Sequence, residues 1–147
     1  MKNHFFKQIP EKKMTALETV QLYYEAFNAK NWKGMLALLH PEVRHEANQG
    51  DVRIGLEKFT AFLQKMDEAY EETLTDMVFF SEPLGKRVAV EFVVNGIYKQ
   101  AEEGLPAAHG QPYVLPAGAF LELTDGKISR VTTYYNLPRW IELVSKP

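Results

Sequence analysis

Histidine, glutamate, asparagine and glutamine crowd into the run His40-Pro41-Glu42-Val43-Arg44-His45-Glu46-Ala47-Asn48-Gln49-Gly50. An imidazole takes or gives a proton near neutral pH, and a carboxylate serves as the partner acid or base. A primary amide offers both a donor and an acceptor to a carbonyl or hydroxyl oxygen. The chemistry expected here is proton transfer on an oxygen-bearing small molecule. His45 shares a strand face with Val43 and Ala47. If that face is interior, His45 is a general base or hydrogen-bond donor in a pocket; otherwise it is a buried histidine satisfied by a backbone group. Glu46 points the opposite way in a regular strand, as a solvated or interface carboxylate, unless a bulge turns it inward. Asn48 and Gln49 stand where the strand ends. They either bind a ligand oxygen at a cavity mouth or cap the turn at Gly50.

A pocket for such chemistry needs apolar walls. Tyr23, Tyr98, Tyr113, Tyr134 and Tyr135, with Phe92, Phe120 and Trp32, are the candidates, set against the alternative that most are plain core. Tyr134 and Asn136 alternate with Tyr135 on the last strand; facing inward, they would converge with His45 and Tyr23. Tyr70 stands at the end of a helix able to cover the pocket. Glu91 and Glu122 belong on the outer sheet face, within reach of Arg130 or Lys127.

Several chemistries are disfavoured. The sequence has no cysteine, so it has no disulfide, thiol nucleophile or thiolate metal site. His4, His40, His45 and His109 are scattered without helical i, i+4 spacing, and no metal is expected. No phosphate-cradling glycine loop or nucleophile elbow is present, and no cofactor is expected. Arg44, Asp51, Arg53 and Asp76 do not assemble into an Asp-Arg-Asp constellation, because Arg44 lies on the face opposite His45.

The elements that must position these residues follow from periodicity. Thr15 caps a first helix, with Glu18 completing a capping box and Leu17, Val20, Tyr23, Tyr24 and Phe27 on one side. A short second helix carries Trp32, Met35, Leu36, Leu38 and Leu39 and stops at His40-Pro41. A strand covers 43–48, and a third helix covers 56–70 with Phe59, Phe62, Leu63 and Met66 as its stripe. The period then changes to two, giving strands over 74–81, 87–99, 113–123 and 128–136. An Asp125-Gly126 turn joins the last pair, and a short helix over 139–144 ends the chain. Helices followed by antiparallel strands indicate an α+β domain, here a curved sheet enclosing a pocket.

The chain has 147 residues, a net charge of −2 and 46% apolar residues, which suits one domain with one core. Residues 14–147 are expected to form it, with 1–13 as an extension that docks through Phe5 and Phe6 or hangs loose. Lys and Arg are dispersed, so neither nucleic acid nor a membrane surface is expected as a partner. Without a signal-peptide core or a spanning apolar window, a cytoplasmic location is expected. The outer sheet face carries Ala89, Val93, Leu121, Val131 and Thr133, which suggests a homodimer packed sheet to sheet.

The runs Val20-Gln21-Leu22-Tyr23 with Phe27-Asn28-Ala29, Gly34 to Val43, Val114 to Phe120, and Asp125-Gly126-Lys127-Ile128 resemble the nuclear transport factor 2-like superfamily. More narrowly the chain resembles SnoaL-like polyketide cyclases and ketosteroid isomerase-related proteins. The resemblance covers roughly residues 14–144. It implies a cone of three N-terminal helices packed on a curved, mostly antiparallel sheet enclosing a pocket, and it also implies a dimer. Steroid isomerases of this kind use a tyrosine, a protonated aspartate as oxyanion hole and a second aspartate that shuttles the proton. Tyr23 falls on the tyrosine. The shuttling aspartate falls on Ala47, beside Glu46, and the oxyanion-hole aspartate falls on Gly118. A relative that does not use the same residues is implied. The expected function is a ketosteroid isomerase-related pocket for a small hydrophobic carbonyl compound, acting as an isomerase, cyclase or dehydratase. His45 or Glu46 would move the proton, with Tyr23 and an amide of Asn48, Gln49 or Asn136 holding the oxygen. The alternatives are a non-catalytic binder of an apolar ligand and a dimeric scaffold.

Overall fold

The structure, a computed structural model, describes residues 13–147. The expected docking of Phe5 and Phe6 lies outside these residues. Among the described residues, four helices and six strands follow one another as α1 (Ala16–Asn28), α2 (Trp32–Leu36), β1 (Leu39–Ala47), β2 (Arg53–Ile54), α3 (Leu56–Ala69), β3 (Tyr70–Ser81), β4 (Arg87–Tyr98), β5 (Gln111–Thr124), β6 (Lys127–Tyr135) and α4 (Leu137–Val144).

Local chemistry explains the helix ends. Thr15 has extended backbone, and its hydroxyl oxygen accepts the Glu18 N–H at 3.1 Å, which satisfies one of the free donors of the first turn. The buried side of α1 is Val20, Tyr23 and Tyr24, one stripe at helical spacing that faces the sheet. Burying each such side chain contributes roughly 1.5–3 kcal/mol. Asn136 caps α4 by accepting the Arg139 N–H at 3.0 Å, and Pro138 sits in the first turn, where its missing N–H costs nothing.

The strands form one curved, open sheet in the order β2-β1-β6-β5-β4-β3. All neighbours run antiparallel except β1 and β6, which are parallel. Side chains alternate between the two faces, so a cross-strand row shares a face. The row His45, Val131, Leu121, Val88 is concave-side, and its members are at most 4% exposed. The neighbouring row Glu46, Thr132, Phe120, Ala89, Phe80 is on the convex side. Leu121 and Val131 therefore belong to the core and Thr133 to the cavity lining, not to the outer surface where the sequence suggested them. Helices α1, α3 and α4 cover the concave face, and the core lies between.

Several boundaries differ from the sequence reading. β1 begins at Leu39 rather than 43, with its irregularity between Leu39 and Arg44. β2 is an addition, a short pairing across the turn at Gly50. β3 begins at Tyr70, directly at the end of α3. Among the described residues, no helix is long and apolar enough to cross a membrane.

Candidate functional site

A cavity of about 750 Å³ lies between the concave sheet face and the helices, within the usual range for a small-molecule site. Its two side walls differ in chemistry.

The first wall is the end of β1. His45 is 4% exposed and lines the cavity. Its ring packs against Phe59 at 4.6 Å and Phe62 at 4.4 Å, both supplied by α3. Arg53 of β2 lies over the Phe62 ring at 4.7 Å. Burial first, and the nearby Arg53 charge second, lower the His45 pKa to about 4, so the imidazole is neutral at pH 7. Asn48 follows in the left-handed region, at φ 51°, a conformation that asparagine tolerates better than most residues. This turn ends the alternation of β1 and brings the Asn48 side chain to the cavity beside His45. The Asn48 Oδ1 accepts the Tyr135 N–H at 2.7 Å, which fixes the orientation of the amide. Among the described residues, the buried side-chain polar atoms without a partner are His45 Nδ1 and Asn48 Nδ2. One stands near the end of β1 and the other begins the turn after it. Tyr23 of α1 lines the same cavity, and burial raises its pKa, so its hydroxyl keeps its proton and is a donor.

The opposite wall is built from β3, β4 and β5. Glu72 of β3 lies opposite Gly96 of β4, and Gly96 lies opposite Tyr113 of β5. A Cβ at Gly96 would overlap the Tyr113 ring. The glycine thus lets that ring lie flat across β4, where its hydroxyl donates to Glu72 Oε2 at 2.5 Å. The end of α1 holds β3 in place. Asn28 donates to the Leu74 carbonyl at 2.9 Å and accepts the Leu74 N–H at 2.8 Å. The Lys30 Nζ donates to the Glu72 carbonyl. Burial raises the Glu72 pKa, opposed by the Tyr113 hydrogen bond and by Lys30. Nearby, the Tyr70 hydroxyl donates to Glu102 Oε2 at 2.9 Å. Tyr135 also lines the cavity, close enough to Glu72 and Glu102 for both charges to raise its pKa after burial. Trp140 of α4 packs edge-on to Tyr70 and Tyr113 at 5.9 and 5.8 Å and closes this end.

Of the residues singled out from sequence, the structure brings Tyr23, His45, Asn48, Tyr70, Phe92, Tyr113 and Tyr135 to the cavity. Glu46 stays on the convex face, because the register from Arg44 to Ala47 is regular and the irregularity lies before it. Its carboxylate accepts the Thr132 hydroxyl at 3.1 Å. Gln49 is exposed in the turn, at φ 59°. Phe120 and Tyr134 are 51% and 41% exposed and pack on each other across the outer face. The pairing of Ala117 with Tyr135 turns Tyr135 inward and Tyr134 outward, the reverse of the expected alternation. Asn136 is committed to capping α4. Trp32 packs on Phe27 at 5.9 Å, away from the main cavity. Tyr98 is fully buried, stacked on Tyr70 and donating to the Pro106 carbonyl at 2.7 Å. Glu122 pairs with Arg130 at 2.9 Å and Arg87 at 3.3 Å on the convex face. Sequence reasoning missed Glu72 and Glu102. The alternation Tyr70, Glu72, Leu74 was the available signal for the first.

The SnoaL-like domain family model matches residues 20–131. A candidate polyketide cyclase from Pseudomonas putida KT2440 is 51% identical, with a TM-score of 0.88, over 90% of this chain and 99% of that one. Another candidate polyketide cyclase, from Xanthomonas campestris pv. campestris, is 52% identical, with a TM-score of 0.85, over 88% and 96% of the two chains. An NTF2-like protein from Burkholderia pseudomallei K96243 shares the fold at 21% identity, with a TM-score of 0.75, over 89% and 98%. No curated protein matches the chain in sequence.

Proposed function

The chain belongs to the SnoaL-like domain family of NTF2-like proteins, and from that premise we propose that it is a cofactor-independent isomerase, cyclase or dehydratase acting by proton transfer on a hydrophobic carbonyl compound. One observation carries the reading: His45 Nδ1 and Asn48 Nδ2, neighbours on the cavity wall, are buried without partners. Leaving such a group unpaired costs about 1–3 kcal/mol, a cost that a binding site repays when its ligand arrives.

In this reading Asn48 donates to the ligand's carbonyl oxygen, because its orientation leaves Nδ2 as the free end. The Tyr23 hydroxyl is the second donor. His45 acts through its unpartnered ring nitrogen, Nδ1. It takes a proton from the carbon beside the carbonyl; the C–H electron pair becomes a C=C bond and the carbonyl π pair moves onto oxygen. The two donors stabilise that oxygen as its charge grows. In a β,γ-unsaturated ketone, return of the proton to the γ-carbon, with the carbonyl re-formed and the double bond moved into conjugation, completes an isomerisation. A conjugate acid near pH 4 makes His45 a weak base, but one fully available at pH 7, and a carboxylate base of similar strength serves in ketosteroid isomerases. Neither Glu46 nor Asn136 takes part.

The test is deuterium uptake. Cyclic and aryl ketones of increasing size are incubated with the protein in D2O, and the label beside the carbonyl is followed by mass spectrometry. Catalysed uptake that falls at least a hundredfold in His45→Phe supports the reading, by the usual size of general-base effects of about 10²–10⁴. Uptake unchanged in that variant rejects it and leaves the pocket to a non-catalytic ligand.

A homodimer through the convex face is proposed on a separate observation. Phe80, Phe120 and Tyr134 are 55%, 51% and 41% exposed on β3, β5 and β6 of one sheet face, and exposed apolar groups gathered on one face mark interaction surfaces. Sedimentation of the wild type as a dimer, and of Phe120→Lys as a monomer, is the expected result.

A further inference from the structure

The wall opposite His45 has no part in the chemistry just described, yet it is built with care. Glu72, Gly96 and Tyr113 stand on three adjacent strands, and the glycine exists in a place where any side chain would push Tyr113 off Glu72. Tyr113 uses only Oε2 of the carboxyl group, so Oε1 is left for another donor. Glu72 lines the cavity in which His45, 4% exposed, presents an unpaired nitrogen.

We propose that the Glu72–Tyr113 pair is a specificity site that accepts a hydroxyl group carried by the substrate at the end remote from its carbonyl. The substrate class is then an elongated hydrophobic hydroxy-ketone. The inference rests on the carbonyl being held at Asn48, as in the function proposed above. β1 and β3 are separated by β6, β5 and β4. Four interstrand steps of about 4.8 Å make roughly 19 Å across the strands; the four residues from Ala117 to Tyr113 along β5 add to this, and the curved face and the inward reach of the side chains shorten it. One ring cannot span such a distance, whereas two or three can. A hydroxyl fits better than an ammonium group. The Lys30 ammonium already sits at the Glu72 carbonyl, and burial makes this carboxyl hold its own proton more readily; both weaken its pull on a second cation. Tyr70 and Glu102, already paired to each other, border the site.

Binding of a matched series of para-substituted ketones tests this. Compounds of one, two and three rings, such as 4-phenylcyclohexanone and 4-(4-hydroxyphenyl)cyclohexanone, are compared with and without the terminal hydroxyl by calorimetry. At one length the hydroxyl is expected to tighten binding about tenfold or more, as for a hydrogen bond to a charged or proton-sharing group. Glu72→Gln, which still accepts from Tyr113 but exchanges the acidic acceptor for a neutral amide donor, should cut that preference severalfold and leave the unhydroxylated ketone's affinity unchanged. Tyr113→Phe should keep the preference, because it removes the other user of the carboxyl. That variant also decides the matter if Glu72→Gln does not fold. No hydroxyl preference at any length, a preference undiminished in Glu72→Gln, or one lost in Tyr113→Phe overturns the proposal. Tighter binding of an amine-terminated analogue than of the hydroxyl compound overturns it too. The two readings fail separately: loss of deuterium uptake in His45→Phe with no hydroxyl preference sinks only the specificity site.

Discussion

The two walls of the cavity handle polar groups in opposite ways. On the Glu72 wall two phenols find carboxylates: Tyr113 donates to Glu72 and Tyr70 to Glu102. On the β1 wall two buried atoms have no partner, although a backbone N–H a few ångströms away was enough to fix the other end of Asn48. Polar groups buried in folded proteins are nearly always paired. The paired wall is therefore explained by folding, and the unpaired one is explained by something the fold leaves out. A wall that is satisfied before binding discriminates among ligands through what remains free on it. A wall that is unsatisfied gains most when the ligand arrives, and can gain more still as charge develops.

The contrast can be broken from either side. The largest effect is expected from Asn48→Asp, which keeps the acceptor for Tyr135 and the left-handed turn but replaces the free donor with an oxygen. Deuterium uptake by ketones should fall about 10²–10³-fold, the cost of losing an oxyanion donor; retention of the rate would show that Asn48 does not hold the oxygen. Next is Gly96→Ala. Its Cβ occupies the place of the Tyr113 ring, so about 2–3 kcal/mol of stability should be lost in urea unfolding, as for overpacking of a filled site. A change within a few tenths would mean that Tyr113 does not lie across β4.

A third effect concerns pH. His45 binds its proton at about 6.5 in an unfolded chain and at about 4 when folded. The unfolded state therefore holds more protons between these values, and stability rises with pH across them. The contribution is whole above 6.5 and lost as pH falls toward 4, about 3 kcal/mol altogether. His45→Phe, which packs with Phe59 and Phe62 and cannot ionise, should flatten this slope; an unaltered slope would assign it to another group. The smallest effect is expected on the convex face, where Arg87 is largely exposed in its pair with Glu122. Arg87→Ala should cost no more than about 0.5 kcal/mol, and a larger loss would point to a cooperative network with Arg130.

How much of this could be read from sequence varied with the physics involved. Hydrophobic period gave the helices and long strands, because burial acts on local pattern. It placed His45 by alternation with Val43 and Ala47, and the amphipathic stripe of α1 placed Tyr23. Face assignment failed where one residue decides it. Tyr134 and Tyr135 are equally apolar, and only the register with Ala117 and Gly118 turns one inward. Asn48 reaches the cavity through a positive φ that sequence does not announce. Glu72 was hidden because α3 runs into β3 without a turn: Tyr70 is both the helix cap and the first strand residue. Its partnership with Tyr113 is a three-strand arrangement separated by 41 residues, which no local pattern encodes.

The most direct test of the central claim is the nitrogen NMR of the imidazoles, recorded by long-range proton–nitrogen correlation across pH and with a bound ketone such as 4-phenylcyclohexanone. The account predicts that His45 stays neutral until the pH nears 4 and that its ring nitrogens shift on ketone binding while those of His40 and His109 do not. A His45 that titrates near 6.5, or whose nitrogens ignore the ketone, would contradict it.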